Sequence, residues 1–243
     1  LYNPIEDCYA TKKKIKIFRT ELDQLRYKKK KLKILDFGCG NALDCGRYLF
    51  NNLDDYLGYD VYKPGIDYAI LNFKKKNINF SSIFPKKKFD VIICSEVLEH
   101  LEDPIIILKK LSNLLDTNGL ILGSVPNGFG LTEIEKFLIH NLGIYALLKK
   151  IYYLFKKKKT PKKRIPFNYE SGHIQFFRIS VLKKIFDEAS METNYIKNGS
   201  FMGADISGEI LFRSEIMKKI NTTLPDYLPS FVCATWIFKL LKK

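Results

Sequence analysis

The alternation of apolar and polar positions changes character at about residue 130. Before it, short apolar runs and helical stripes follow one another at close intervals. Residues 11–30 place Ile15, Phe18, Leu22 and Leu25 on one face of an amphipathic helix. "KILDF" predicts a short buried strand that runs into Gly38-Cys39-Gly40, with a helical stretch over about 42–52. "DYLGYDV" (55–61) predicts a second strand ending on Asp60, "GIDYAILNF" a helix, and "INFSSIF" a third strand with its exit loop. Asp90–Cys94 is a continuous apolar run of the kind found in parallel sheets covered on both faces. "PIIILKKLSNLLDTNG" predicts a helix that begins after Pro104 and ends at Asn118-Gly119, and "LILGSVPN" a fifth strand. Strands alternating with helices over short connections predict an α/β fold with a doubly wound, mostly parallel sheet and helices on both faces.

After residue 130 the grammar loosens. Residues 131–155 read as helical and unusually apolar, followed by a basic run and two prolines. "SGHIQFF" reads as a loop or short strand, "ISVLKKIFDEAS" as a helix, and the remainder as a late strand or hairpin region. The expected organisation is an N-terminal helical cap (1–30), a ligand-binding core (31–130), a helical basic insert or lid (131–170), and the rest of the same domain (171–243). No internal repeat is visible.

Composition adds three constraints. With 243 residues, 46% of them hydrophobic, the chain suits one sizeable core with an appended segment. No apolar secretory segment opens it, since "TKKKIKIFRTELDQLRYKKKK" is too charged to be one. The five cysteines (Cys8, Cys39, Cys45, Cys94, Cys233) form no CxxC pair, which points to free thiols in a reducing cytoplasm. Three histidines and these scattered cysteines show no ligand spacing, so no metal site is expected. The net charge of +15 is partly local, because residues 149–164 carry nine basic residues and no acidic one. Residues 137–164 join an apolar stretch, too short to span a bilayer, to that basic run. Such a composition suits either an interfacial helix on an anionic membrane surface or a lid with a solvated tail. The C-terminal "LPSFVCATWIFKLLKK" reads as a weaker version of the same theme, or as a strand and helix packed on the sheet.

The turn at Gly38–Gly40 presents backbone N–H groups where a strand meets a helix, and two ligand classes use that geometry. A dinucleotide site has the spacing G-x-G-x-x-G with an acid about 20 residues on. Here Leu43 occupies the third glycine position, although Asp60 stands 20 residues beyond Gly40. A glycine pair with an acid fits either ligand.

Four stretches carry a resemblance. "LDFGCGNA", "GYDV", "FDVIICSEVLEHLEDP" and "LLDTNGLILGSVPN", spread over residues 30–127, are similar to the class I S-adenosylmethionine-dependent methyltransferases. The likeness is to the branch with small-molecule, quinone and sugar substrates. One departure is Ala42, where many members carry a third glycine. The resemblance implies a Rossmann-like seven-stranded sheet and S-adenosylmethionine as cofactor, with S-adenosylhomocysteine as product. It further implies that Asp36 and the backbone of Gly38, Cys39 and Gly40 hold the methionine end. Asp60, followed by Val61, would accept from both ribose hydroxyls. Ser81, Ser82 and Ile83 would flank the adenine, and Ser95 and Glu96 would line the methionine side.

Methyl transfer is an in-line displacement, helped by a base when the acceptor is a hydroxyl. Histidine suits that task near neutral pH. His100, just past the fourth strand, and His173, in the polar loop "YESGHIQFF", are the candidates; His140, in the apolar stretch, reads as a packing or surface residue. The expected reaction is O-methylation of a small or lipid-linked acceptor. The layout "SVPNGFG…GHIQFF…LP…W" resembles enzymes of bacterial surface polysaccharides and tilts the acceptor towards a cell-surface sugar. A quinone-type O-methyltransferase and an RNA methyltransferase are the alternatives, and a scaffold without turnover a third. Against nucleic acid, the fourth strand ends in "CSEVLEH", not in the Asn/Asp-Pro-Pro-aromatic motif that clamps a base amine.

Overall fold

The computed structural model describes residues 9–130, 166, 172–202 and 214–243. The expected insert apart from Pro166, the basic run 149–164, His140 and Cys8 lie outside these residues. Seven strands form one sheet: β1 (Lys33–Phe37), β2 (Asp55–Tyr59), β3 (Ile78–Ser81), β4 (Phe89–Ser95), β5 (Leu115–Pro126), β6 (Met191–Asn198) and β7 (Thr235–Lys242). Their spatial order is β3-β2-β1-β4-β5-β7-β6, and only β7 runs antiparallel to its neighbours. The order reverses between β1 and β4, so the carboxyl ends of these strands flank the crevice where ligands of open α/β sheets bind.

Both faces are covered because alternate side chains leave a strand in opposite directions. Leu35, Phe37, Ile92 and Cys94 join a core under α4 (Pro104–Leu114) and α5 (Ile179–Glu188). Ile34, Val91 and Ile93 join a second core under α1 (Tyr9–Lys28), α2 (Gly46–Leu49) and α3 (Lys63–Phe73). The stripe of α1 is buried as its spacing predicts, with Phe18 and Leu22 fully enclosed. The sheet thus spends the apolar runs of β1 and β4 twice over, once on each side.

Several boundaries differ from the sequence reading, each for a local reason. The helix expected over 42–52 shrinks to α2 because Ala42 takes a φ of +62° and turns the backbone out of helical continuation. α4 starts where expected, with Asp103 capping the Ile106 N–H at 2.9 Å, but stops at Leu114 instead of Asn118-Gly119. The reason is that Leu115 already pairs with Phe89, and the ladder resumes at Val91↔Leu120. A further helix, α6 (Glu215–Thr223), begins at Ser214, whose hydroxyl accepts from Met217 N. The C-terminal run ends in a sheet strand, β7, whose Trp236, Phe238 and Leu240 pack into one core and Ile237 into the other, each at most 1% exposed, so these side chains are not available to a membrane surface. Cys39, Cys45, Cys94 and Cys233 are free. Among the described residues no helix is long and apolar enough to cross a membrane.

Candidate active site

At the carboxyl end of β1, Gly38 and Gly40 are needed for different reasons. Both have positive φ, +75° and +53°. A methyl group at Gly38 would lie 2.5 Å from Val97 Cγ2, so this glycine lets the loop pack on the turn after β4. At Gly40 the same methyl would meet nothing within 4 Å, so the loop faces open space there. The backbone N–H groups of Gly38 and Cys39 donate to Tyr59 O at 2.8 and 3.0 Å, tying the loop to β2. Asp60, just past β2, accepts from Gly40 N at 2.7 Å through Oδ2 and from Tyr62 N at 2.8 Å through Oδ1. Each of these oxygens keeps a second lone pair. Ala42, the position of the family's third glycine, takes the left-handed conformation that explains a glycine there.

Asp36 underlies this loop and is only 2% exposed; the Tyr56 hydroxyl donates to its Oδ2. Burial pushes its carboxyl up to about 6, with Asp60 adding to the rise and the Tyr56 bond and Lys14 opposing it. Beside the loop, Asp60 N donates to Ser81 O at 3.3 Å, which sets the ends of β2 and β3 side by side. Val61 and Ile83, on the two chain segments that leave those ends, are 77% and 78% exposed, and Ser82 is exposed with them. The Ser81 hydroxyl turns back to accept from Ile83 N at 3.0 Å.

The other half of the crevice lies at the ends of β4 and β5. Glu96 takes a φ of +55°, a conformation that costs a non-glycine residue and clusters at functional sites. Its Oε1 accepts from the Ser124 hydroxyl, and Ser124 lies 3.1 Å from the Ser95 hydroxyl. Lys14 of α1 reaches the same place, donating to Ser124 Oγ at 3.2 Å and lying 3.4 Å from Glu96 Oε1. Burial is the largest single influence on Lys14 and works against its charge, but Glu96, Cys45 and Asp44 together outweigh it, and its pKa is raised.

Beyond Glu96 the chain makes a 3-10 turn, Leu98–His100, against which residues 172–177 are laid. Ile174 N and Gln175 N donate to Glu99 O at 2.9 and 3.0 Å, and the Gln175 amide donates to the carbonyls of Leu101 and Glu102. Phe177 is buried and its carbonyl accepts from Gly128 N. These bonds bring the two candidate histidines together, with His100 and His173 ring centres 5.0 Å apart. His100 Nδ1 lies 3.1 Å from Gly172 O. Beside them is Glu99, fully buried, with neither carboxyl oxygen hydrogen-bonded. Burial, then the charge of Glu96, raises its pKa well above the ordinary range.

Glu99, Ser124 and Lys14 were not singled out in the sequence. Lys14 did leave a signal, because it stands four residues before Phe18 on the apolar stripe of α1, where a lysine has no packing reason to be. Glu99 left none: its neighbour His173 is 74 positions away, and spacing along the chain does not report that approach.

A family model described as "Methyltransferase domain" matches residues 11–193. The ubiquinone biosynthesis O-methyltransferase of Pelagibacter ubique is 32% identical over 155 residues, 61% of this chain and 62% of the relative. The tRNA U34 carboxymethyltransferase of Sulfurimonas denitrificans is 29% identical over 135 residues, 50% of this chain and 43% of the relative. The chain spans about half the length of the curated relatives it matches. Among solved structures, an S-adenosylmethionine-dependent methyltransferase from Clostridium acetobutylicum superposes with a TM-score of 0.58 at 10% identity, covering 95% of this chain and 91% of that one. The plantazolicin methyltransferase BpumL, in complex with a triazolic desmethylPZN analog and SAH, superposes at 0.57 with 21% identity, covering 98% and 86%. These two likenesses concern the fold alone. Matched over three quarters of its length, the chain belongs to the class I S-adenosylmethionine-dependent methyltransferases. The family's cofactor is S-adenosylmethionine, and the open loop at Gly40, the spare lone pairs of Asp60 and the exposed Val61 and Ile83 fit such a group.

Proposed function

We propose that this chain transfers a methyl group from S-adenosylmethionine to a hydroxyl of a small aromatic acceptor, bound beside the turn after β4. The observation that carries the reading is the pairing of His100 with His173 at the turn after β4, the turn on which Gly38 packs, with imidazoles suited to handling a hydroxyl proton near neutral pH. Bound S-adenosylmethionine supplies a methyl group on a sulfonium, ready for in-line displacement. Asp60 would hold the ribose through its remaining lone pairs, Val61, Ser82 and Ile83 would enclose the adenine, and the Gly38–Gly40 backbone would receive the methionine end. Ser95 and Glu96, with Lys14 behind them, would line the side of that end facing the acceptor. The ubiquinone O-methyltransferases among the relatives favour a quinol-like ring. The sugar acceptor expected from the sequence layout gains no support from them. Residues 137–164 are the sequence basis for delivery of a lipid-linked acceptor at an anionic membrane surface.

The test is transfer of labelled methyl to a panel comprising a catechol-type quinol precursor, a free hexose and a tRNA transcript. Label on the catechol alone is the expected result. Label on the tRNA alone would replace this reading with the one the carboxymethyltransferase relatives suggest.

A further inference from the structure

Glu99 is the one carboxylate of the described residues that is fully buried with both oxygens lacking a hydrogen-bond partner. A buried carboxyl with no hydrogen-bond partner is among the costliest features a fold can carry, and it calls for a partner that the chain by itself does not supply. Its surroundings show what would. Oε1 stands 3.9 Å from His100 Nε2, too far for a hydrogen bond. The Gly172 carbonyl can only accept, so the hydrogen of neutral His100 sits on Nδ1 and Nε2 turns a lone pair towards the carboxylate. His173 completes the group: one ligand atom from each of Glu99, His100 and His173 lies within 4.8 Å of the others. Bonds of about 2.0–2.2 Å put two ligands of one ion at most about 4.4 Å apart, so a small side-chain rotation closes this set. A carbonyl holding the far nitrogen of a histidine is the usual outer support of a metal-bound imidazole.

We infer that Glu99, His100 and His173 form a divalent-cation site of the transition-metal type, one carboxylate and two imidazoles with positions left open towards the crevice. Two imidazoles favour Mn2+, Fe2+ or Zn2+ over Mg2+, which prefers oxygen ligands. The inference rests on the proposed methyl transfer for its purpose. The cation would bind the acceptor oxygen and make its hydroxyl more acidic. The role proposed for the two imidazoles is thereby refined: they would promote loss of the proton to water through the ion they hold, while the oxygen takes the methyl carbon and the sulfonium C–S bond breaks. Neighbouring hydroxyls of a catechol would occupy two open positions at once.

The experiment is titration of the full chain with MnCl2, following loss of the free Mn2+ paramagnetic resonance signal, beside calorimetric titration with S-adenosylhomocysteine. One Mn2+ per chain is expected, with affinity falling at least about tenfold in Glu99→Gln and in His173→Ala while S-adenosylhomocysteine binding stays unchanged. Should Glu99→Gln not fold, the exposed-loop variant His173→Ala decides alone. No Mn2+ bound by the wild type, or equal binding by wild type and variants, overturns the site. Mn2+ binding without S-adenosylhomocysteine binding would keep the site and overturn the methyl-transfer reading.

Discussion

The two halves of the crevice are built on opposite principles. The β1–β2 half is local and satisfied: within 25 residues, the N–H groups of Gly38 and Cys39 meet Tyr59 O and both oxygens of Asp60 are engaged. The β4–β5 half is assembled from α1, the turn after β4, β5 and residues 172–177, and it contains strained Glu96 and unsatisfied Glu99. A region that recognises an unchanging cofactor can be finished in the apo chain. The half that would receive the acceptor on the proposed reading keeps a buried carboxyl without a hydrogen-bond partner.

The largest effect expected comes from breaking the finished half at its hub. Asp60→Ala removes the acceptor of Gly40 N and Tyr62 N and, on the proposed reading, the acceptors for two ribose hydroxyls. At about 1.5–3 kcal/mol for each charge-assisted bond to the ribose, S-adenosylhomocysteine affinity should fall about a hundredfold or more; calorimetry reads it. Next is Gly38→Ala, which meets Val97 Cγ2 at 2.5 Å with φ at +75°. Strain and overpacking should cost about 2–4 kcal/mol, read as a drop of several degrees in Tm.

Asp36→Asn is expected to move stability the other way. The folded-state value of about 6 lies above that of an unfolded aspartate, about 3.9. The folded chain therefore holds the extra proton between these values, and stability falls as pH rises through that window. The ionised, buried carboxylate costs up to about 3 kcal/mol at neutral pH. The amide can still accept from Tyr56, so the variant should be more stable in urea at pH 7, by about 1–3 kcal/mol, and should flatten the profile between about pH 4 and 6. A profile unchanged from wild type would show that Asp36 is not the titrating group. The smallest effect is that of Gly40→Ala. Its φ is +53° but an added methyl would meet no atom within 4 Å, so about 1 kcal/mol of stability is at stake. Equal losses at Gly38 and Gly40 would remove the distinction between a packed glycine and one facing open space.

Legibility in the sequence follows the same division. β1, β2, β4, α3 and α5 were readable because periodicity and turn chemistry are local, and the glycine loop and Asp60 because their spacing is fixed by one β-α-β unit. The pairing of His100 with His173 was not readable, since it depends on Ile174 N and Gln175 N docking on Glu99 O across the fold. Lys14 was half-readable, as a charge on an apolar stripe whose partner the stripe could not name. α4 was overrun because a helical pattern does not show that Leu115 is already claimed by Phe89. The absence of metal-ligand spacing was a statement about neighbours in sequence, and His173 joins the adjacent pair Glu99 and His100 only in space.

On the proposed reading, the Gly38–Gly40 loop and Asp60 form a cofactor site already built in the free chain. Calorimetric titration of the purified protein with S-adenosylhomocysteine, run beside NADH, tests it most directly. Saturable binding of S-adenosylhomocysteine at one site per chain, with no heat from NADH, is the predicted result. Binding of NADH in its place, or of neither, would contradict it.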